Sequence, residues 1–121
     1  MFTISKSFQF SASHCLVGLA EDHPCMRVHG HNYKATFFFQ SARLNENDFV
    51  IDYRKLDPIK KYIDNVLDHR HLNEVMSIIP TAENIANMLY NRFKKEFPLL
   101  VAVEVSETEK TSARYEPNYD I

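Results

Sequence analysis

The stretch "FTISKSFQFSASH", residues 2 to 14, alternates polar and apolar side chains along most of its length. Phe8, Phe10 and Ala12 share one parity, and the opposite parity carries Ser, Thr and Gln. This period is typical of a strand with one buried face, so we predict a β-strand over residues 2–14.

The rest of the chain supplies partners for this strand. A second strand is predicted from about His31 to Ala42, with Phe37 and Phe39 on its buried face and Phe38 on the other. Apolar residues three or four apart predict helices over about 54–67 and 81–96, and alternation predicts strands over 100–107 and 111–119. This order indicates an α+β domain: a four-stranded antiparallel sheet with two helices on one face.

Composition excludes several classes of protein. The 121 residues carry a formal charge of −2 with scattered Lys and Arg, which argues against binding nucleic acid. No apolar run approaches the ~18 residues of a membrane span. We expect one domain over residues 1–121, in the cytoplasm, with no membrane partner. Because Phe38 makes the second strand apolar on both faces, we expect an oligomer to cover it.

Polar side chains end three of the predicted buried faces. His14 lies on the same face of the first strand as Phe10. His29 and His31 precede the second strand's inward residues at the same spacing of two, so they lie on its buried face as well. Glu107 continues a series of valines in the same way. Either the His-x-His pair arises by chance, or three imidazoles converge and leave a fourth position open, as in a catalytic zinc site. Glu107 is either a satisfied core carboxylate or the binder of a cationic or hydrogen-bond-donating group.

Two cysteines and a glycine lie near these histidines. Cys25 in "HPCMRVHGHNY", residues 23–33, is either a fourth metal ligand or a free nucleophile or base. Cys15 has the opposite parity from His14, so we interpret it as structural. Gly30 is expected to let the backbone bend or approach a neighbour closely.

The stretch "LDHRHLN", residues 67–73, places Asp68 beside His69. An aspartate can fix the tautomer of an imidazole and assist proton transfer, but adjacent residues point apart unless the chain turns. The alternative is a helix end with solvated charges.

Six motifs together carry a family resemblance: "FSASH" (10–14), "CMRVHGHNY" (25–33), "VIDYRKL" (50–56), "LDHRHLN" (67–73), "PTAENIA" (80–86) and "SET" (106–108). In this order they resemble the 6-pyruvoyltetrahydropterin synthase superfamily. The resemblance implies the tunnelling fold, in which trimers close a β-barrel and usually stack as hexamers. It also implies Zn²⁺ on His14, His29 and His31.

The same resemblance assigns catalytic roles. It implies Cys25 as the catalytic cysteine, Asp68 and His69 as a proton relay, and Glu107 as the anchor of a pterin ring. Three residues separate Cys25 from the His-Gly-His element, the spacing of bacterial 6-carboxytetrahydropterin synthases. The implied reaction converts 7,8-dihydroneopterin triphosphate to carboxytetrahydropterin, acetaldehyde and triphosphate. Alternatives are a pyruvoyl synthase and a non-catalytic zinc scaffold. Lys110 and Arg114 are candidate phosphate ligands.

Overall fold

The computed structural model describes residues 1–118 and is built around one twisted sheet. The strands are β1 (Phe2–His14), β2 (His29–Ser41), β3 (Arg70–His71), β4 (Leu100–Thr108) and β5 (Thr111–Tyr115). The sheet order is β3-β1-β2-β4-β5, with antiparallel pairing except between β1 and β3. The prediction for residues 2–14 is confirmed to the residue. The predicted strand over 111–119 ends at Tyr115, and residue 119 lies outside the described part.

The prediction of a four-stranded antiparallel sheet is wrong, because residues 1–118 form a five-stranded mixed sheet. The added strand β3 lies parallel to the end of β1, with Ala12 opposite Arg70 and Ser13 opposite His71. A backbone hydrogen bond of 2.6 Å from His69 N to Ser11 O starts this pairing. A strand of two residues has no measurable alternation, so periodicity could not reveal it.

Helices cover one face of the sheet. They are α1 (Asp57–Tyr62), α2 (Leu72–Val75) and α3 (Ala82–Phe93), with short 3₁₀ turns at Pro24–Met26 and Tyr53–Leu56. Thr81 caps α3: its Oγ1 accepts a hydrogen bond from Asn84 N at 3.1 Å, the usual role of a threonine at a helix N-terminus. Phe93 of α3 packs edge-on against Phe37 of β2, which seats the helix on the buried face.

The first predicted helix changes character along its length. A π-helical turn at Ile63–Leu67 follows α1, so the helical path from residue 53 to residue 67 has three geometries. Ile63 and Leu67 are both fully buried, while Val66 is only partly buried. The wide turn thus places Leu67 in the core, and it delivers the next residue, Asp68, to the end of β1.

The core lies between the helices and the inner face of the sheet. The rings of Phe10 and Tyr33 stack with centroids 4.9 Å apart, one step inside the histidines. A break in register at Phe38/Phe39 puts Leu100 of β4 in the core and leaves Val101 partly exposed. Among residues 1–118, no helix is long and apolar enough to cross a membrane.

Candidate active site

Three imidazoles meet where β1 ends and β2 begins. His14 lies directly opposite His29, and His31 lies opposite Ala12. Their ligand nitrogens all lie within 4.8 Å of one another, a grouping that could hold a metal ion. His14 is fully buried, and the other two are half-buried. Parity therefore predicted their convergence correctly, because strand register carries the alternation to the end of the sheet.

Backbone carbonyls fix the tautomers of two of these rings. His14 Nδ1 lies 2.7 Å from Pro80 O, and His29 Nδ1 lies 2.7 Å from Arg27 O. A carbonyl can only accept, so each Nδ1 carries the proton and each Nε2 presents a lone pair. The two Nε2 atoms lie 3.0 Å apart. Two lone pairs at this distance repel unless a cation lies between them, and carbonyl-held imidazoles are characteristic of metal ligands.

The third ring also presents an unused nitrogen. Within residues 1–118, the buried Nε2 of His31 has no hydrogen-bond partner. Glu107 Oε2 lies 2.9 Å from this atom and 3.7 Å from His14 Nε2, close enough for an ion pair but outside hydrogen-bond geometry. Burial lowers the pKa of His31, opposed by the charge of Glu107 and reinforced by the other two imidazoles. A neutral ring with a free lone pair is the ligand form.

The donor set fits a divalent transition metal. Imidazole nitrogens suit Zn, Cu, Fe and Ni, and three of them leave at least one position open. Cys25 does not belong to the group formed within the described residues. The cluster is therefore a group of three histidines that could hold a metal ion, with the Glu107 carboxylate beside it.

Asp68 and His69 form a hydrogen-bonded pair at the edge of the sheet. Asp68 Oδ1 accepts from Ser11 N at 2.8 Å, and Asp68 Oδ2 lies 3.0 Å from His69 Nδ1. His69 has φ 59°, so the turn that this pair requires is a left-handed residue. The Ser11 N–H is the main cause that lowers the pKa of Asp68. The sequence left two alternatives for this stretch, a helix end and an Asp-His pair. Both are present, because the π-helical turn ends at Leu67 and Asp68 contacts His69.

Cys25 lies in the 3₁₀ turn at Pro24–Met26. His23 Nδ1 accepts from Cys25 N at 3.1 Å, and Cys25 O accepts from Leu16 N at 2.7 Å. These bonds fix the backbone and leave a free, half-buried thiol. Cys15 is also a free, half-buried cysteine, and its backbone bonds the Asn73 side chain through both its N–H and its carbonyl.

Gly30 is not needed for a backbone bend or for a close approach to a neighbour, so that prediction is wrong. A Cβ there would meet Ala12 O at 3.6 Å, an ordinary contact, and its φ is not in the left-handed region. Neither close approach nor backbone strain requires glycine. Gly30 instead borders two clefts that open on the site.

The two clefts share the segment Gly30, His31 and Asn32. The carboxylate cleft, of about 700 Å³, is otherwise lined mainly by Gln9, Tyr33, Lys34, Ser106, Glu107 and Glu109. The Arg70 cleft, of about 480 Å³, is otherwise lined by Ser11, Ala12, Ser13, His69, Arg70 and His71. Residues distant in sequence therefore form two binding spaces that meet at one metal-site imidazole.

Several supporting groups were not predicted. The carbonyls of Pro80 and Arg27 carry no side-chain signature, and Asn73 fixes the end of β1 through a bidentate bond to Cys15. Asn73 is the last residue of "LDHRHLN", a signal that could have found it. Lys110 and Arg114 line neither cleft in the described part of the chain, and Arg114 lies over the Phe38 ring at 4.4 Å.

Fold and site together define an α+β protein with a three-histidine cluster, suited to a metal ion, at the end of a sheet. The chain belongs to the 6-pyruvoyl tetrahydropterin synthase family, whose model matches residues 3–118.

Relatives agree with this assignment. A 6-carboxy-5,6,7,8-tetrahydropterin synthase from Synechocystis sp. is 35% identical, with 95% of this chain and 93% of that protein covered. The protein of that name from Haemophilus influenzae is 30% identical, with coverages of 96% and 99%. The fold matches Caenorhabditis elegans 6-pyruvoyl tetrahydropterin synthase with a TM-score of 0.85, 24% identity and coverages of 97% and 96%.

Proposed function

We propose that this chain is a 6-carboxy-5,6,7,8-tetrahydropterin synthase, acting on 7,8-dihydroneopterin triphosphate and releasing acetaldehyde and triphosphate. Two relatives of that name, from Synechocystis sp. and Haemophilus influenzae, match 95% and 96% of the chain. The observation that carries the proposal is the pair of opposed Nε2 atoms of His14 and His29, 3.0 Å apart, on rings whose Nδ1 atoms face backbone carbonyls. With His31 they form a site whose open position suits a hydroxylated substrate.

The metal in this proposal is zinc, held by His14, His29 and His31. Three neutral imidazoles with an open position are the donor set of catalytic zinc. When bound, zinc would lower the pKa of a substrate hydroxyl and stabilise developing negative charge on its oxygen.

The protein groups around the site hold the substrate and move protons. Glu107 accepts two parallel N–H bonds from the 2-amino-4-oxo edge of the pterin, as a carboxylate accepts an arginine fork. Cys25 Sγ exchanges a proton with a side-chain carbon of the substrate. His69 exchanges the partner proton at Nε2, since its Nδ1 faces the Asp68 carboxylate.

Product analysis tests this function. The metal-loaded protein is incubated with 7,8-dihydroneopterin triphosphate, and the products are identified by mass spectrometry. Carboxytetrahydropterin with acetaldehyde is the expected result. Pyruvoyltetrahydropterin without acetaldehyde would assign the chain to the other synthase reaction. Full metal occupancy without any conversion would make it a non-catalytic scaffold.

We also propose a homo-oligomer built from trimers, most simply a hexamer. Phe38 lies on the face opposite the helices, half-buried, with the Arg114 guanidinium over its ring at 4.4 Å. The sheet ends in two short edge strands, β3 and β5, which can pair with other copies. Light scattering should give three or six times the 14.2 kDa chain mass at micromolar concentration. A monomer under these conditions would refute the proposal.

A further inference from the structure

The two clefts that meet at His31 differ in charge. The carboxylate cleft contains Glu107 and Glu109 against one cation, Lys34. The Arg70 cleft contains the guanidinium of Arg70, and none of its lining residues within 1–118 is an Asp or Glu. Coulomb repulsion therefore disfavours a polyanion in the first cleft, while the second offers a positive charge without a competing carboxylate.

The carboxylate that precedes the lining residues of the Arg70 cleft is already engaged. Asp68 precedes two lining residues, His69 and Arg70, but its Oδ1 accepts from Ser11 N and its Oδ2 faces His69 Nδ1. Both carboxylate oxygens of Asp68 therefore already face hydrogen-bond donors. These donors reduce the repulsion between Asp68 and an anion in the cleft.

A serine-histidine pair supplies a hydrogen-bond donor to the same cleft. Ser13 Oγ lies 2.9 Å from His71 Nδ1. If the hydroxyl donates to Nδ1, the neutral ring carries its proton on Nε2, and if Nδ1 donates, the hydroxyl proton is free. Either arrangement leaves one donor unused between the two residues, which suits an acceptor-only ligand such as phosphate.

Arg70 has the geometry for phosphate. Its Nη2 donates to Asn65 O at 3.2 Å, which ties the guanidinium to the middle of the π-helical turn. A guanidinium has five N–H donors in a planar fork, so this bond leaves donors for a second partner. In the single chain the Arg70 side chain is exposed.

We infer that Arg70, with the Ser13–His71 pair, forms the subsite for the phosphate chain of the substrate. This inference rests on the proposed function, in which a hydroxylated side chain joins the pterin ring to a triphosphate. With the ring held by Glu107 in the carboxylate cleft, the hydroxyls lie beside His31, the wall common to both clefts. The phosphates then extend into the Arg70 cleft, and Lys110 and Arg114 have no part in binding them.

Binding of inorganic tripolyphosphate tests the subsite without requiring turnover. Calorimetry on the metal-loaded protein should show binding that weakens ~10- to 100-fold in Arg70→Gln, the range expected for loss of a charge-assisted hydrogen bond. Lys110→Gln removes the same charge outside the cleft and should bind like the parent protein. Orthophosphate should bind more weakly than tripolyphosphate, because it carries less negative charge and fewer acceptor oxygens.

Unphosphorylated 7,8-dihydroneopterin serves as the control for folding and for the ring site. Its binding should be equal in the parent protein and Arg70→Gln. The subsite is disproved if the parent protein does not bind tripolyphosphate, or if Lys110→Gln loses affinity and Arg70→Gln does not. Tripolyphosphate binding that depends on Arg70, in a protein that does not convert the substrate, would support the subsite and refute the synthase function. A protein that converts the substrate, but whose tripolyphosphate affinity is unchanged in Arg70→Gln, would support the synthase function and refute the subsite.

Discussion

Replacing His29 by alanine is expected to remove bound zinc and catalytic turnover together. His29 contributes one of the two opposed Nε2 atoms, and Arg27 O holds its ring in the ligand tautomer. Two imidazoles hold the metal much more weakly than three. The loss of affinity should exceed the ~10- to 100-fold that removal of an outer-shell partner costs.

The measurement is zinc per chain by elemental analysis, alongside the rate of product formation. His23→Ala is the matched control, because His23 bonds the backbone of Cys25 and lies outside the three-histidine group. It should retain zinc at the parent level. Full zinc occupancy in His29→Ala, or loss of zinc in His23→Ala, would contradict the assignment of ligands.

Cys25→Ala is expected to lower catalytic turnover without lowering the zinc content. If the thiol transfers a proton and does not bind zinc, the variant should fold and hold zinc at the parent level. Turnover should fall ~10²- to 10⁴-fold, the usual contribution of a positioned acid or base. Its backbone bonds to Leu16 and His23 do not involve the sulfur, so the loop should keep its shape.

Cys15→Ala is the control for thiol removal. Cys15 is also free and half-buried, but its neighbour Asn73 bonds only its backbone, so zinc content and turnover should stay near the parent values. Loss of zinc in Cys25→Ala would make that thiol a ligand. Near-normal turnover would disprove its role as a proton-transfer group even with the metal site intact.

Long periodic segments were predictable from the sequence. Residues 2–14 keep one alternation through their whole length, and this fixed both the bounds of β1 and the inward direction of His14. The same parity in β2 brought His29 and His31 to the end of the sheet. Side chains alternate between the two faces along the whole length of a strand. The direction of the last residues of β1 and the first residues of β2 could therefore be predicted from sequence.

The missing parts depend on contacts between distant segments. Strand β3 exists because a π-helical turn and the left-handed His69 bring Arg70 against β1, and neither has a periodic signal. Pro80 and Arg27 act through backbone carbonyls, which every residue possesses. The Arg70 cleft required knowing that residues 69–71 lie beside Ser13, since in sequence these positions are more than fifty residues apart.

X-ray absorption at the zinc edge of the purified, zinc-loaded protein shows directly which atoms bind the metal. We expect three imidazole nitrogens and at least one further light atom at ~2.0 to 2.2 Å, with no sulfur scatterer. A zinc–sulfur distance of ~2.3 Å would contradict it, because that distance would place a cysteine in the coordination shell and close the position that the substrate needs.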